Sequence, residues 1–105
     1  MSEPSGKPVG YKVAYSERVR IELKDLLTRA VARGLGREAL EAVKKLDARL
    51  HVYPQFGEPL RDLQTAGETL WTGTIPPLVV QYIIDEDKRV VFVVAPLKPL
   101  PESGL

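Results

Sequence analysis

Two apolar runs close to the end of the chain, Leu78 to Ile84 and Val90 to Val94, are separated by little more than the polar string Asp85-Glu86-Asp87-Lys88. Short β-branched runs joined by an acidic turn predict a β-hairpin whose strands carry apolar residues on both faces. Such a hairpin cannot stand alone in water. The remaining sequence must supply further strands and a layer that covers at least one of its faces.

The first half of the chain supplies that layer. Tyr11, Val13 and Tyr15 alternate with Lys12 and Ala14, the period of a half-buried strand. Ser16 offers a hydroxyl as N-cap, and Val19, Leu23, Leu26, Leu27, Ala30 and Val31 follow at helical spacing up to Gly34. A second helix is predicted from about Arg37, with Ala39, Leu40, Val43, Leu46 and Leu50 as its apolar stripe and Pro54 at its end. With Gly34-Leu35-Gly36 as the whole junction, the helices fold back on each other. Pro54 to Pro59 reads as a turn-rich connector, after which Leu60 and Leu63 anchor a short segment to the core. Leu70 to Ile75 is a strand, ended by Pro76-Pro77, and Pro96, Pro99 and Pro101 leave an extended tail.

The predicted order is therefore β-α-α-β-β-β. It describes an α+β domain with a helical hairpin on one face of a small, mainly antiparallel four-stranded sheet. Its expected bounds are a loose arm over 1–9, the domain over 10–98 and a Pro-rich tail over 99–105. At 105 residues one domain is the limit, burying roughly two thirds of the surface of the unfolded chain.

Composition removes several functions. The chain has no cysteine, so disulfides, thiolate metal sites and a cysteine nucleophile are out, in keeping with a reducing compartment. No apolar stretch approaches about 20 residues, and Met1 to Pro8 lacks the apolar core of a secretory signal, so the expected location is the cytoplasm, away from membranes. The net charge of +1 hides an asymmetry: residues 17–49 hold nine Lys and Arg against six Asp and Glu, whereas residues 52–105 hold four against seven. Neither half has the dense basic stripe of a nucleic-acid binder.

Individual residues sharpen the exclusions. His51, the one histidine, has no partner at ligand spacing and reads as a cap or surface residue. Asp85-Glu86-Asp87 reads as a solvated turn, and neither a metal nor another cofactor is expected. The helical cations Arg18, Arg29, Arg33, Lys44, Lys45 and Arg49 are interspersed with acids and read as a solvated face. Arg61 beside Asp62 reads as a surface pair, and Trp71 as a core residue or a partner anchor.

The hairpin leaves one question open. One set of side chains meets the helices; the other set, too apolar to face water comfortably, is either covered by the tail, the N-terminal arm or another chain, or reflects strands that are simply Val-rich. Candidate partner-binding residues are Val79, Gln81, Ile83, Val91, Val93 and Trp71.

Several strings in this order resemble the RelE/ParE superfamily, the toxins of type II toxin-antitoxin pairs. They are Tyr15-Ser16-Glu17, Leu60-Arg61-Asp62-Leu63, Leu70-Trp71 and Val80-Gln81-Tyr82-Ile83-Ile84-Asp85, and the resemblance spans Tyr11 to Lys98. It implies a cognate antitoxin laid across the helical hairpin or the sheet, a gyrase or ribosome target, and room for a homodimer. Ribonuclease members use a basic cluster on the sheet, where fixed guanidinium donors stabilise the charge that builds on phosphate. Here Thr72-Gly73-Thr74 and Leu78-Val79 stand at the matching positions, and Lys98 alone keeps the expected character. The resemblance thus implies a toxin-like subunit acting through protein binding. Two alternatives stay open: a ribonuclease with a relocated site at Lys98, Arg61 and Tyr82, and a domesticated, non-toxic binding protein.

Overall fold

The computed structural model describes residues 10–65 and 68–105, with side chains described over 10–60 and 69–105. The arm expected over 1–9 lies outside the described residues, as do the side chains of Arg61 and Leu63. The chain forms β1 (Lys12–Tyr15), α1 (Glu17–Ala32), α2 (Gly36–Val52), a 3-10 turn at Pro54–Phe56, then β2 (Glu58–Thr65), β3 (Glu68–Ile75), β4 (Leu78–Asp85), β5 (Val90–Val93) and β6 (Lys98–Pro99). The mixed α+β class and the helical hairpin agree with the sequence.

The helices form for the reasons their residues suggest. Ser16 Oγ accepts the Val19 N–H at 3.1 Å, satisfying one orphan donor of the first turn of α1. Gly34, at φ +76°, adopts the left-handed backbone that closes the helix. The buried stripes are Val19, Leu26 and Ala30 on α1 and Ala39, Ala42, Leu46 and Leu50 on α2. Two expected core residues, Val31 and Leu40, are exposed instead. Ala30 and Ala39 are fully buried on either side of the Gly34–Gly36 turn. Small side chains there place the seam of the hairpin one position away from Val31 and Leu40.

The sheet is larger than expected. It holds six strands, not four, in the order β1-β5-β4-β3-β2, with β6 also on β4. β1 runs parallel to β5 and the other pairings are antiparallel. The first additional strand, β2, takes up the last two residues of the anticipated connector, Glu58 and Pro59, and the short segment that follows it. Its Pro59 lies opposite Trp71 in a border strand, where a missing N–H can be tolerated. The second, β6, replaces part of the anticipated tail. Leu78 pairs with Pro99 and Val79 with Lys98, and Leu100 N–H donates to Pro77 O at 2.8 Å. β6 prolongs β5 along the same edge of β4, after a break over residues 94–97 that bends at Ala95 and holds the buried Leu97.

The core lies between the hairpin and one face of the sheet. Leu78, Val80 and Tyr82 of β4 and Val91 and Val93 of β5 meet Leu26, Leu46 and Leu50 there. Phe56, Tyr82 and Trp71 stack in sequence, with ring centroids 6.1 and 6.4 Å apart and planes inclined by 18° in each pair. Gly73 makes room for this stack: a Cβ there would lie 2.6 Å from Phe56 Cζ and 3.2 Å from Tyr82 Cε1.

Candidate functional site

Strand register decides which apolar set faces away from the helices. Thr72 pairs with Gln81, Thr74 with Val79, Ile83 with Phe92 and Val79 with Lys98, which puts all these side chains on the outer face. Phe92 is 41% exposed and Val94 46%. Of the candidate partner-binding residues, Val79, Gln81 and Ile83 belong to this face and are half-buried.

Val91 and Val93 do not belong to it. Both are buried on the helix side, because they pair with Ile84 and Tyr82 of the inward set. Trp71 is also on the helix side, half-buried and stacked on Tyr82, so the expectation of a core or half-core residue describes it better than a partner anchor. The outer patch is completed by Val90, Phe92 and Val94. Period-two alternation separates the two sets but cannot say which enters the core when both are apolar.

The C-terminal tail does not cover this face. It turns toward the helical hairpin, where Arg33 Nη1 donates to Gly104 O at 3.1 Å and Leu105 packs on the core.

Of the candidate ribonuclease residues, Lys98 and Tyr82 are not brought together. Lys98 is exposed beside Val79 on the outer face. Tyr82 is fully buried on the other, its hydroxyl donating to Pro54 O at 2.6 Å and hydrogen-bonded by the Gly57 backbone. Burial pushes its pKa up to about 12, so the hydroxyl holds its proton and has no access to substrate. The Arg61 side chain lies outside the described residues. Thr72, Thr74 and Val79 do converge on the outer face, and they are neutral. Thr72 Oγ1 is buried there without a hydrogen-bond partner.

No protein-family model and no curated protein matches the chain. What the outer face can do therefore rests on its own chemistry. Neutral hydroxyls, one amide and a run of Val, Ile and Phe suit the burial of apolar surface and in-plane hydrogen bonding, not the neutralisation of a phosphorane. Among the described residues, no group of three or more His, Cys, Asp or Glu side chains could hold a metal ion.

Two polar clusters fasten the ends of the fold. His51 Nδ1 lies 2.7 Å from Tyr11 O, and the His51 carbonyl accepts the Tyr11 N–H at 2.7 Å. Its Nε2 faces Asp47 Oδ2 at 3.4 Å, while Asp47 Oδ1 accepts the Tyr15 hydroxyl at 2.5 Å. Burial, then the Asp47 hydrogen bond and charge, raise the Tyr15 pKa and keep that hydroxyl a donor. His51 thus ties the end of α2 to β1.

The second cluster lies at the turn between β4 and β5. Glu86 accepts from the Tyr11 hydroxyl at 2.7 Å and from Gln55 Nε2 at 2.8 Å, and the Arg89 guanidinium lies 4.4 Å from the centre of the Tyr11 ring. The Tyr11 and Gln55 hydrogen bonds hold the Glu86 carboxyl below its ordinary pKa. A carboxyl depressed on folding contributes stability that is complete above its ordinary pKa and fades as pH falls through the folded value. Glu86→Gln is expected to lower the urea midpoint at pH 7, and the deficit to shrink as pH falls below the ordinary carboxyl range and through the folded value. A deficit that does not shrink would show that the charge of Glu86 contributes nothing.

Proposed function

We propose that the chain is a toxin-like subunit of the RelE/ParE kind that acts in the cytoplasm by binding other proteins, without cleaving RNA. The single observation that carries this reading is the outer sheet face, where apolar residues and neutral hydroxyls occupy the positions a ribonuclease would fill with cations. The resemblance in strand and helix order supports it. So does the acidic balance of the second half, which opposes approach of messenger RNA to the sheet. Among the described residues no helix is long and apolar enough to cross a membrane, in keeping with the proposed location.

Induced expression in a bacterial host without the neighbouring reading frame tests the proposal. Growth arrest, relieved when that frame is co-expressed and its product co-purifies, is the expected result. Continued growth would instead favour the domesticated binding protein, and ribosome-dependent RNA cleavage abolished by Lys98→Ala would favour the ribonuclease.

Phe92→Asp separates surface from fold. Phe92 is 41% exposed in a strand between β1 and β4, so lost packing and strand propensity are expected to cost about 1 kcal/mol of folding stability, read from the urea midpoint, whereas a charge buried under a partner should abolish both co-purification and growth arrest. Retention of both would remove the outer face from the proposal. Self-association through the same face would appear as a dimer that Phe92→Asp dissociates.

A further inference from the structure

A second surface, on the helix side, has the composition of a binding groove. Lys45, then Ala48 and Arg49, then Val52 fall about one turn apart along α2 and line an open channel with Tyr53 and Ile75. Its apolar rim is unusually bare, with Val52 72% and Tyr53 55% exposed. Among the described residues no carboxylate lines the channel. Neither Lys45 nor Arg49 forms a salt bridge with a described residue.

Arg49 is also held in place. Its guanidinium lies 5.6 Å from the centre of the Phe56 ring, a cation–π contact that leaves the N–H edges for a ligand. Phe56 in turn rests against Gly73, so the position of the cation is set by the core.

We propose that this channel takes an acidic peptide segment carrying an apolar anchor, with its carboxylates on Lys45 and Arg49 and the anchor against Val52, Tyr53 and Ile75. Charge complementarity selects the acids, and Arg49 offers a forked donor matched to a carboxylate. The exposed aliphatic and aromatic rim selects the anchor. Two cations are few for a nucleic acid, which relies on many phosphate contacts, and the apolar lining would be wasted on one. This surface is separate from the outer sheet face and does not depend on the toxin-like reading.

The test uses the full chain and a labelled 12-residue peptide of Asp and Glu with Leu and Phe at its centre. Comparison probes replace the apolar pair with serines, replace the acids with lysines, or substitute a 12-nucleotide single-stranded RNA. The expected result is saturable binding of the first peptide, about tenfold weaker for Lys45→Gln and for Arg49→Gln and weaker at higher salt, with backbone amide shifts at Ala48, Val52 and Ile75. Both substitutions lie on the exposed helix surface, and unchanged urea midpoints would show that the fold is intact. Absent binding, equal binding of the serine peptide, stronger binding of the RNA, or binding indifferent to Arg49→Gln would each overturn the proposal. Phe92→Asp should leave this binding unchanged, so failure here and failure at the outer face read out separately.

Discussion

Alanine in place of Tyr82 is expected to cost about 3–5 kcal/mol of folding free energy, a third or more of what a small domain usually has. Tyr82 is completely buried, and its ring lies between Phe56 and Trp71, so truncation leaves a cavity with an aromatic on each side. The same change strands two backbone groups. Pro54 O loses its donor, and the Gly57 backbone loses the hydroxyl to which it is bonded. Tyr82→Phe separates these contributions, since it keeps the ring and removes only the hydroxyl. An expected loss of about 1–3 kcal/mol for Phe follows from leaving buried polar groups unpaired. Urea midpoints of the two variants measure both values. A Phe variant as stable as the parent would mean that water or a local shift satisfies Pro54 O, and that the ring alone matters.

Valine in place of Gly73 is the second large effect. Strand propensity favours the change by up to about 1 kcal/mol, because glycine has the most freedom to lose. Space opposes it more strongly. The first carbon of any side chain would lie 2.6 and 2.8 Å from two atoms of the Phe56 ring, and valine adds two methyl groups beyond it. Overpacking of this kind costs about 1–3 kcal/mol, so the net sign is destabilising. Phe56 is also the platform under Arg49. Displacing the ring should therefore move the Arg49 side-chain resonances and weaken binding of the acidic peptide, although Gly73 itself does not line the channel. A stabilised Gly73→Val with unmoved Arg49 signals would show that the ring swings aside at no cost.

Much of this architecture is legible in the sequence. Ser16 and Gly34 announce the ends of α1, and the valine-rich runs announce β4 and β5, because local chemistry decides those features. The strands that escape it are those whose residues argue against pairing. β2 carries Pro59, Arg61 and Asp62 and has no clean alternation, yet it pairs along β3 because a border strand needs only one satisfied edge. β6 is hidden by prolines for the same reason. The outward position of Phe92 is not legible either, since the inward set is selected by Tyr82 reaching Pro54 O, a contact between residues 28 apart in sequence. In the channel, the spacing of Lys45, Arg49 and Val52 is visible in the sequence. Whether it marks a solvated helix face or a groove depends on Ile75, contributed by β3.

The short pairing of Lys98 and Pro99 with β4 has a consequence for solubility. β5 pairs with β4 only from Tyr82 to Asp85, and β6 takes up Leu78 and Val79 on that same edge. Without it, an apolar strand would offer bare backbone donors and acceptors to any neighbouring molecule, the usual start of edge-to-edge growth. Pro99 cannot donate a ladder hydrogen bond of its own. Lys98 and Pro99 thus act as a built-in guard that caps a sticky template without becoming one.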